Sequence, residues 1–261
     1  MPCVENSFEG TGGVPIFYRV WQPEGRPRAL FILVHGMGEH SGRYDPVARF
    51  LAGRGLVVWA LDHRGHGRSG GELGTVERFE HFLDDLEAFH RRALEVHPDL
   101  PTVLFGHSMG GLIVTPYLLE RPLRPDLVVL SGPALVPILD PHDNTIDPTR
   151  LSRDPEAWKA YLEDPLILRE RVQQGLFVAL AEGLATIVGR AAELDHPILL
   201  LHGSADRLCS AEGAKAFLES SSSRDLTIKI YPDGRHEMLN EINRDEVLED
   251  MWAWLDARLP R

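Results

Sequence analysis

The chain has 261 residues, 43% of them hydrophobic and 25% charged, which suits one large domain or a domain carrying an insertion. Its formal net charge of −12 argues against a nucleic-acid partner and against strong attraction to anionic headgroups, and its two cysteines offer no disulfide framework. The opening "MPCVENSFEG" lacks the apolar core of a signal peptide and no run nears the roughly 18 apolar residues of a membrane span, so the expected location is cytoplasmic, with any membrane contact peripheral.

Cys3 falls in what reads as a mobile terminus. "VPIFYRVW" then alternates like an edge strand after a "TGG" turn. "ALFILVHG" is a continuous apolar run ending in glycine, the pattern of a strand buried on both faces. "YDPVARFLAGRG" predicts a helix with Asp45 as N-cap, Pro46 in the first turn and Gly55 past the end. "LVVWALDHRGHG" gives a further buried strand and loop, and "FEHFLDDLEAFHRRALEV" has helical apolar spacing. "PTVLFGHS" is a strand and "MGGLIVTPYLLE" a helix; "DLVVLSGP", "PILLLHG" and "LTIKIYP" are strands; "DEVLEDMWAWLDARL" closes the chain as an amphipathic helix. Buried strands alternating with helices imply an α/β fold, a mostly parallel sheet with helices on both faces.

The alternation breaks from Pro133 to about Ala192. Pro137, Pro141, Pro148, Pro155 and Pro165 punctuate this stretch, "PEAWKAYL" predicts a short helix, and "ERVQQGLFVALAEGLATIVGRAAEL" a long one that is apolar on more than one face. The expected division is a core of residues 1–132 and 193–261, with 133–192 inserted over the carboxyl edge of the sheet, where a lid would sit.

The chemistry starts at Ser108. Gly106-His107-Ser108-Met109-Gly110 is G-x-S-x-G between a predicted strand and a predicted helix, the setting of a nucleophile elbow. A serine hydroxyl needs a base. Of the 12 histidines, His236 in "YPDGRHEMLNE" follows the last strand, and Asp206 in "HGSADRLC" follows the strand before it. The order Ser108, Asp206, His236 is that of an α/β-hydrolase. Asp140 is the competitor for the acid. Oxyanion donors are expected from the backbone amides of Met109 and of Met37, in the glycine-flanked "HGMGEH". His63 and His66 read as loop residues rather than metal ligands, since no matching ligand cluster is visible. Cys209 reads as a semi-buried spectator, and neither metal nor organic cofactor is required.

The stretches "HGMGEHSGRYDPVARFLAGRGLVVWALDHRGHGRSGGE", "GHSMGGLI", "SRDPEAWKAYLEDPL", "HGSADRLC" and "GRHEMLNE" resemble the monoacylglycerol lipases of the α/β-hydrolase superfamily. The resemblance implies an eight-stranded, mostly parallel sheet with a small helical cap. It also implies Ser108, Asp206 and His236 as triad and the Met37 and Met109 amides as oxyanion donors. By the same resemblance Glu39, Arg43, His107 and Tyr161 surround the glycerol end of the pocket, and a cysteine at the place of Cys209 lines it. Two departures stand out: Pro116 lies inside the helix after the serine, and "EMLNE" lacks a histidine that mammalian relatives carry after the base. The expected activity is cleavage of monoacylglycerol, or a similar lipid ester, to fatty acid and glycerol. The alternatives are a lysophospholipase, a general carboxylesterase, or a non-catalytic ligand-binding relative. The sequence leaves the oligomeric state open.

Overall fold

In the computed structural model residues 3–136, 147–169 and 172–260 are described. Eight strands form one sheet in the order β1-β2-β4-β3-β5-β6-β7-β8. They are β1 (Cys3–Glu9), β2 (Pro15–Trp21), β3 (Ala29–Val34), β4 (Leu56–Leu61), β5 (Thr102–His107), β6 (Leu127–Ser131), β7 (Ile198–Gly203) and β8 (Leu226–Tyr231). From β4 across to β8 every pairing is parallel; β1 and β2 add an antiparallel flank. The helices are α1 (Asp45–Ala52), α2 (Glu80–Val96), α3 (Met109–Glu120), α4 (Pro155–Glu163), α5 (Gln174–Ile187), α6 (Ala211–Glu219) and α7 (Arg244–Asp256).

The two-residue period of the strands divides the core. Along β3, Leu30, Ile32 and Val34 join a cluster containing residues of α2, α3, α5 and α6, while Ala29, Phe31 and Leu33 join one built on α1 and α7. All six β3 residues are buried, as the continuous apolar run requires.

Three expectations need correction. Cys3 does not lie in a mobile terminus; it opens β1 and pairs with Trp21. Asp45 is the first residue of α1 rather than its N-cap, and its carboxylate accepts from Trp21 Nε1 at 2.8 Å. The long helix expected from Glu170 to Leu194 is shorter. Its first two residues lie outside the described ones, Gln173 is an extended N-cap, and the helix ends at Ile187, before Gly189 takes φ +73°. Pro116 leaves α3 unbroken from Met109 to Glu120. Between β6 and β7 the described residues contain no strand, only α4, α5 and short 3-10 turns. Pro137, Pro141 and Asp140 fall outside the described residues.

Candidate active site

The site gathers at the carboxyl ends of β3, β5, β7 and β8. Ser108, between β5 and α3, has φ +52° and ψ −118°. For a residue with a Cβ this is a strained conformation that only the surroundings can impose. Those surroundings are the glycines. A Cβ on Gly106 would lie 2.6 Å from the Gly110 carbonyl oxygen, and one on Gly110 would lie 2.1 Å from the Val34 carbonyl oxygen. The turn is therefore as tight as its flanking atoms permit, and it holds Ser108 at the N-terminus of α3, where orphan amides and the helix dipole favour negative charge.

Asp206 and His236 meet because the loops after β7 and β8 are tied together. The Ala205 amide donates to the Gly234 carbonyl at 2.9 Å, and a Cβ on Gly203 would come within 2.1 Å of that same oxygen. His236 Nδ1 lies 2.8 Å from Asp206 Oδ2. The Leu208 and Cys209 amides donate to Asp206 Oδ1 at 2.8 and 3.0 Å. Burial opposes ionisation of Asp206, but the His236 imidazole and the donors around it hold its carboxyl well below the usual range. Burial also pushes His236 down; the Asp206 carboxylate, with Glu237 and Glu39 beyond it, more than reverses this, so His236 is raised above an ordinary imidazole.

Met109 is the first residue of α3, and its amide has no acceptor within the helix. Met37 sits between Gly36 and Gly38 in the loop after β3. A Cβ on Gly36 would be 3.1 Å from the Ser108 Cβ, so this loop runs against the serine. Two imidazoles brace it. The His63 amide donates to His35 Nε2 at 3.0 Å, and His63 Nε2 lies 3.1 Å from the His35 carbonyl oxygen. From the other side the Leu168 amide donates to the Gly38 carbonyl at 2.9 Å. His63 and its neighbour His66 are thus loop residues, and among the described residues no group of three His, Cys, Asp or Glu side chains could hold a metal ion.

Glu39, Arg43, His107 and Tyr161 do come together, around a residue the sequence reading did not single out. Arg43 donates to Glu39 at 2.8 Å and, through both terminal nitrogens, to Glu237 at 2.7 Å each, while its guanidinium lies 5.2 Å above the Tyr161 ring. Glu39 also accepts from Tyr44 Oη and from the Gly36 amide, each at 2.7 Å. Burial works against Glu237 as an anion, but Arg43 more than offsets it and holds the carboxyl at about 2. The His107 ring centroid is 4.8 Å from that of His236, and His107 Nδ1 lies 2.9 Å from the Ser131 carbonyl oxygen. A small cavity of about 10 Å³, lined by Tyr44, His107, Glu237, Leu239 and Asn240, adjoins the cluster.

Cys209 is free and buried close to the Ser108 side chain. Burial, and then the Asp206 charge, push its thiol well above its ordinary value, so it is no thiolate nucleophile. Two further residues went unnoticed in the sequence. His202 bonds the same Asp206 oxygen as His236. Glu241, fully buried, accepts from the Arg235 amide at 2.8 Å and from Arg153 Nε at 3.0 Å, which ties the His236 loop to the segment before α4. The adjacency of Glu237 to the base was the one available signal; nothing in the local pattern marks the other two.

A strained serine elbow at the carboxyl edge of a parallel sheet, with a buried Asp–His pair on the following loops, defines an α/β-hydrolase of the serine type. Residues 25–243 match the family described as serine aminopeptidase, S33. The chain is 38% identical to a monoacylglycerol lipase of Mycolicibacterium smegmatis, over 98% of each chain. It is 35% identical to the monoglyceride lipase of Homo sapiens, over 94% of this chain and 88% of that one. Among solved structures it is similar to the monoacylglycerol lipase of Paleococcus ferrophilus, with a TM-score of 0.76, 30% identity and 98% of each chain covered. The chain belongs to this family of serine α/β-hydrolases.

Proposed function

We propose that this protein hydrolyses monoacylglycerol to fatty acid and glycerol through an acyl-enzyme on Ser108. The observation that carries the mechanism is the Asp206–His236 pair beside a serine held in a strained turn. As the ester enters, the Ser108 hydroxyl gives up its proton to His236 Nε2 as Oγ attacks the carbonyl carbon. The oxyanion takes the amides of Met37 and Met109. The imidazolium, stabilised by Asp206, then protonates the glycerol oxygen as the ester bond breaks. In the second half His236 takes a proton from water, the resulting hydroxide attacks the acyl carbonyl, and the proton returns to Ser108 as the fatty acid leaves.

The Glu39–Arg43–Glu237 cluster supports a neutral polyol headgroup over a phosphate. Two carboxylates against one guanidinium leave a net charge of −1, and Arg43 is already committed to both of them. Segment 133–192 serves as a cap. Leu176 and Leu180 of α5 belong to the same buried core cluster as Met109 and Leu112, whereas Leu162 and Val178 are exposed at 46% and 56% and offer contact with a lipid surface. Among the described residues no helix is long and apolar enough to cross a membrane; the proposed enzyme is cytoplasmic and meets lipid peripherally.

The test is a panel of 1-oleoylglycerol, oleoyl lysophosphatidylcholine, oleoyl lysophosphatidate and p-nitrophenyl acetate in the same micelles. Oleoylglycerol is expected to lead in kcat/KM. A lysophospholipid that is hydrolysed faster, or an acetate ester that matches oleoylglycerol, would contradict the reading.

A further inference from the structure

The Asp206 carboxylate serves two histidines. His202, near the end of β7, is fully buried, and its Nε2 lies 3.0 Å from Asp206 Oδ2 and 3.2 Å from the Cys209 carbonyl oxygen. His236 Nδ1 reaches that same Oδ2 at 2.8 Å. Both groups facing His202 Nε2 are acceptors, so this nitrogen carries the ring proton and donates it. Nδ1 of His202 is buried and has no hydrogen-bond partner among the described residues. Anchoring the carboxylate does not require His202, because the Leu208 and Cys209 amides already hold the other oxygen, Oδ1. His202 acts on the oxygen the base uses.

We propose that His202 is a positioning residue that shares Asp206 Oδ2 with His236 and so limits how tightly Asp206 stabilises the His236 imidazolium. A donor on Oδ2 spends part of the negative charge that His236 would otherwise feel. Without it, more of that charge acts on His236, the imidazolium is favoured, and the base stays protonated to higher pH. With it, His236 can both take the Ser108 proton and release it to the leaving oxygen. The other groups facing His236 stay in place when His202 is changed. These are His107 from β5, Glu39 with Arg43 behind it from the segment after β3, and Glu237 from its own loop. The inference rests on the proposed triad.

The experiment is the pH dependence of kcat/KM on 1-oleoylglycerol for the wild type, His202→Gln and His202→Leu. The glutamine amide nitrogen reaches about where Nε2 sits and can donate; leucine cannot. The acid limb of His202→Leu is expected to move up by about half to one unit, a loss of about three- to tenfold at pH 6 that fades at alkaline pH. His202→Gln should keep the wild-type limb. Unmoved limbs in both variants, or equal shifts in both, would overturn the proposal. Should His202→Leu not fold, long-range ¹⁵N–¹H spectra of the wild-type protein decide the point: an Nε2–H tautomer at His202 is expected, and an Nδ1–H tautomer overturns it. Failure of the triad reading shows separately, as turnover that survives in Ser108→Ala or His236→Ala.

Discussion

Replacing Arg43 with methionine separates a buried neutralising cation from an open substrate ligand. The Arg43 side chain is 10% exposed, and the Glu39 and Glu237 side chains that flank it are 4% and 6% exposed. Methionine keeps an unbranched apolar stem and removes the charge, leaving two enclosed carboxylates with no cation between them. Breaking a buried pair from one side costs about 3–5 kcal/mol, and a chain of this size loses about 2–4 °C in Tm per kcal/mol, so the expected drop is roughly 6–20 °C near pH 7. The pH dependence follows from Glu237. Its carboxyl is held at about 2, below the unfolded value of 4.5, so in the wild type it contributes stability that is present above the unfolded value and lost as pH falls toward 2. Without Arg43 its burial dominates and the folded pKa rises above the unfolded one. The same group then contributes stability at low pH that is lost as pH rises. The gap between the two proteins should therefore be widest near neutrality and narrow below about pH 4.5. Arg43→Met combined with Glu237→Gln should recover about half of the deficit, because one of the two stranded charges is gone. Thermal melts by circular dichroism from pH 4 to 8 read all of this. An unchanged Tm in Arg43→Met together with a large rise in KM would refute the reasoning and make Arg43 a free ligand for substrate.

The acid limb of kcat/KM should lie above the 6.5 of an ordinary imidazole, because His236 is raised and works only when neutral; Glu237→Gln removes a negative charge that favours the imidazolium and should move the limb down, so a limb that stays or rises would contradict the electrostatics. Gly110→Ala puts a Cβ 2.1 Å from the Val34 carbonyl oxygen and 2.6 Å from that of His35, both backbone atoms, and should cost at least about 3 kcal/mol or abolish soluble expression. Gly12→Ala, with φ +72° but open space around it, should cost only about 1–2 kcal/mol in urea melts; equal losses at the two sites would mean that the elbow is not packed as described. Leu180→Asp buries a charge in the core cluster that also holds Met109 and Leu112 and should lower Tm as well as turnover, so a variant of wild-type stability would contradict the place of α5 in the core.

Seven of the eight strands were legible because each is a short apolar or alternating run bounded by glycine or proline. β1 was not: only Phe8 among its seven residues is buried, and a polar edge strand is specified by its partner β2 rather than by its own pattern. The length of α5 was misread because apolar spacing continues past Ile187, whereas the positive φ of Gly189 stops the helix. At the site, Ser108, Asp206 and His236 were readable from turn chemistry and chain order. Glu237 acts across a chain separation that periodicity cannot see. Glu237 needs Arg43, which is 194 residues away. His202 sits in an apolar strand end, and its meaning emerges only when the following turn brings the Asp206 carboxylate back over it. The resemblance places Arg43 at the headgroup, and the fold adds that Arg43 is already saturated by carboxylates.

The central claim is that Ser108 carries the acyl group. The most direct measurement is peptide mapping by mass spectrometry after treatment with a fluorophosphonate, alongside turnover of 1-oleoylglycerol by the wild type and Ser108→Ala. The account predicts one adduct, on the peptide containing Ser108, and loss of both adduct and turnover in Ser108→Ala. An adduct on another residue, or 1-oleoylglycerol hydrolysis at the wild-type rate in Ser108→Ala, would contradict it.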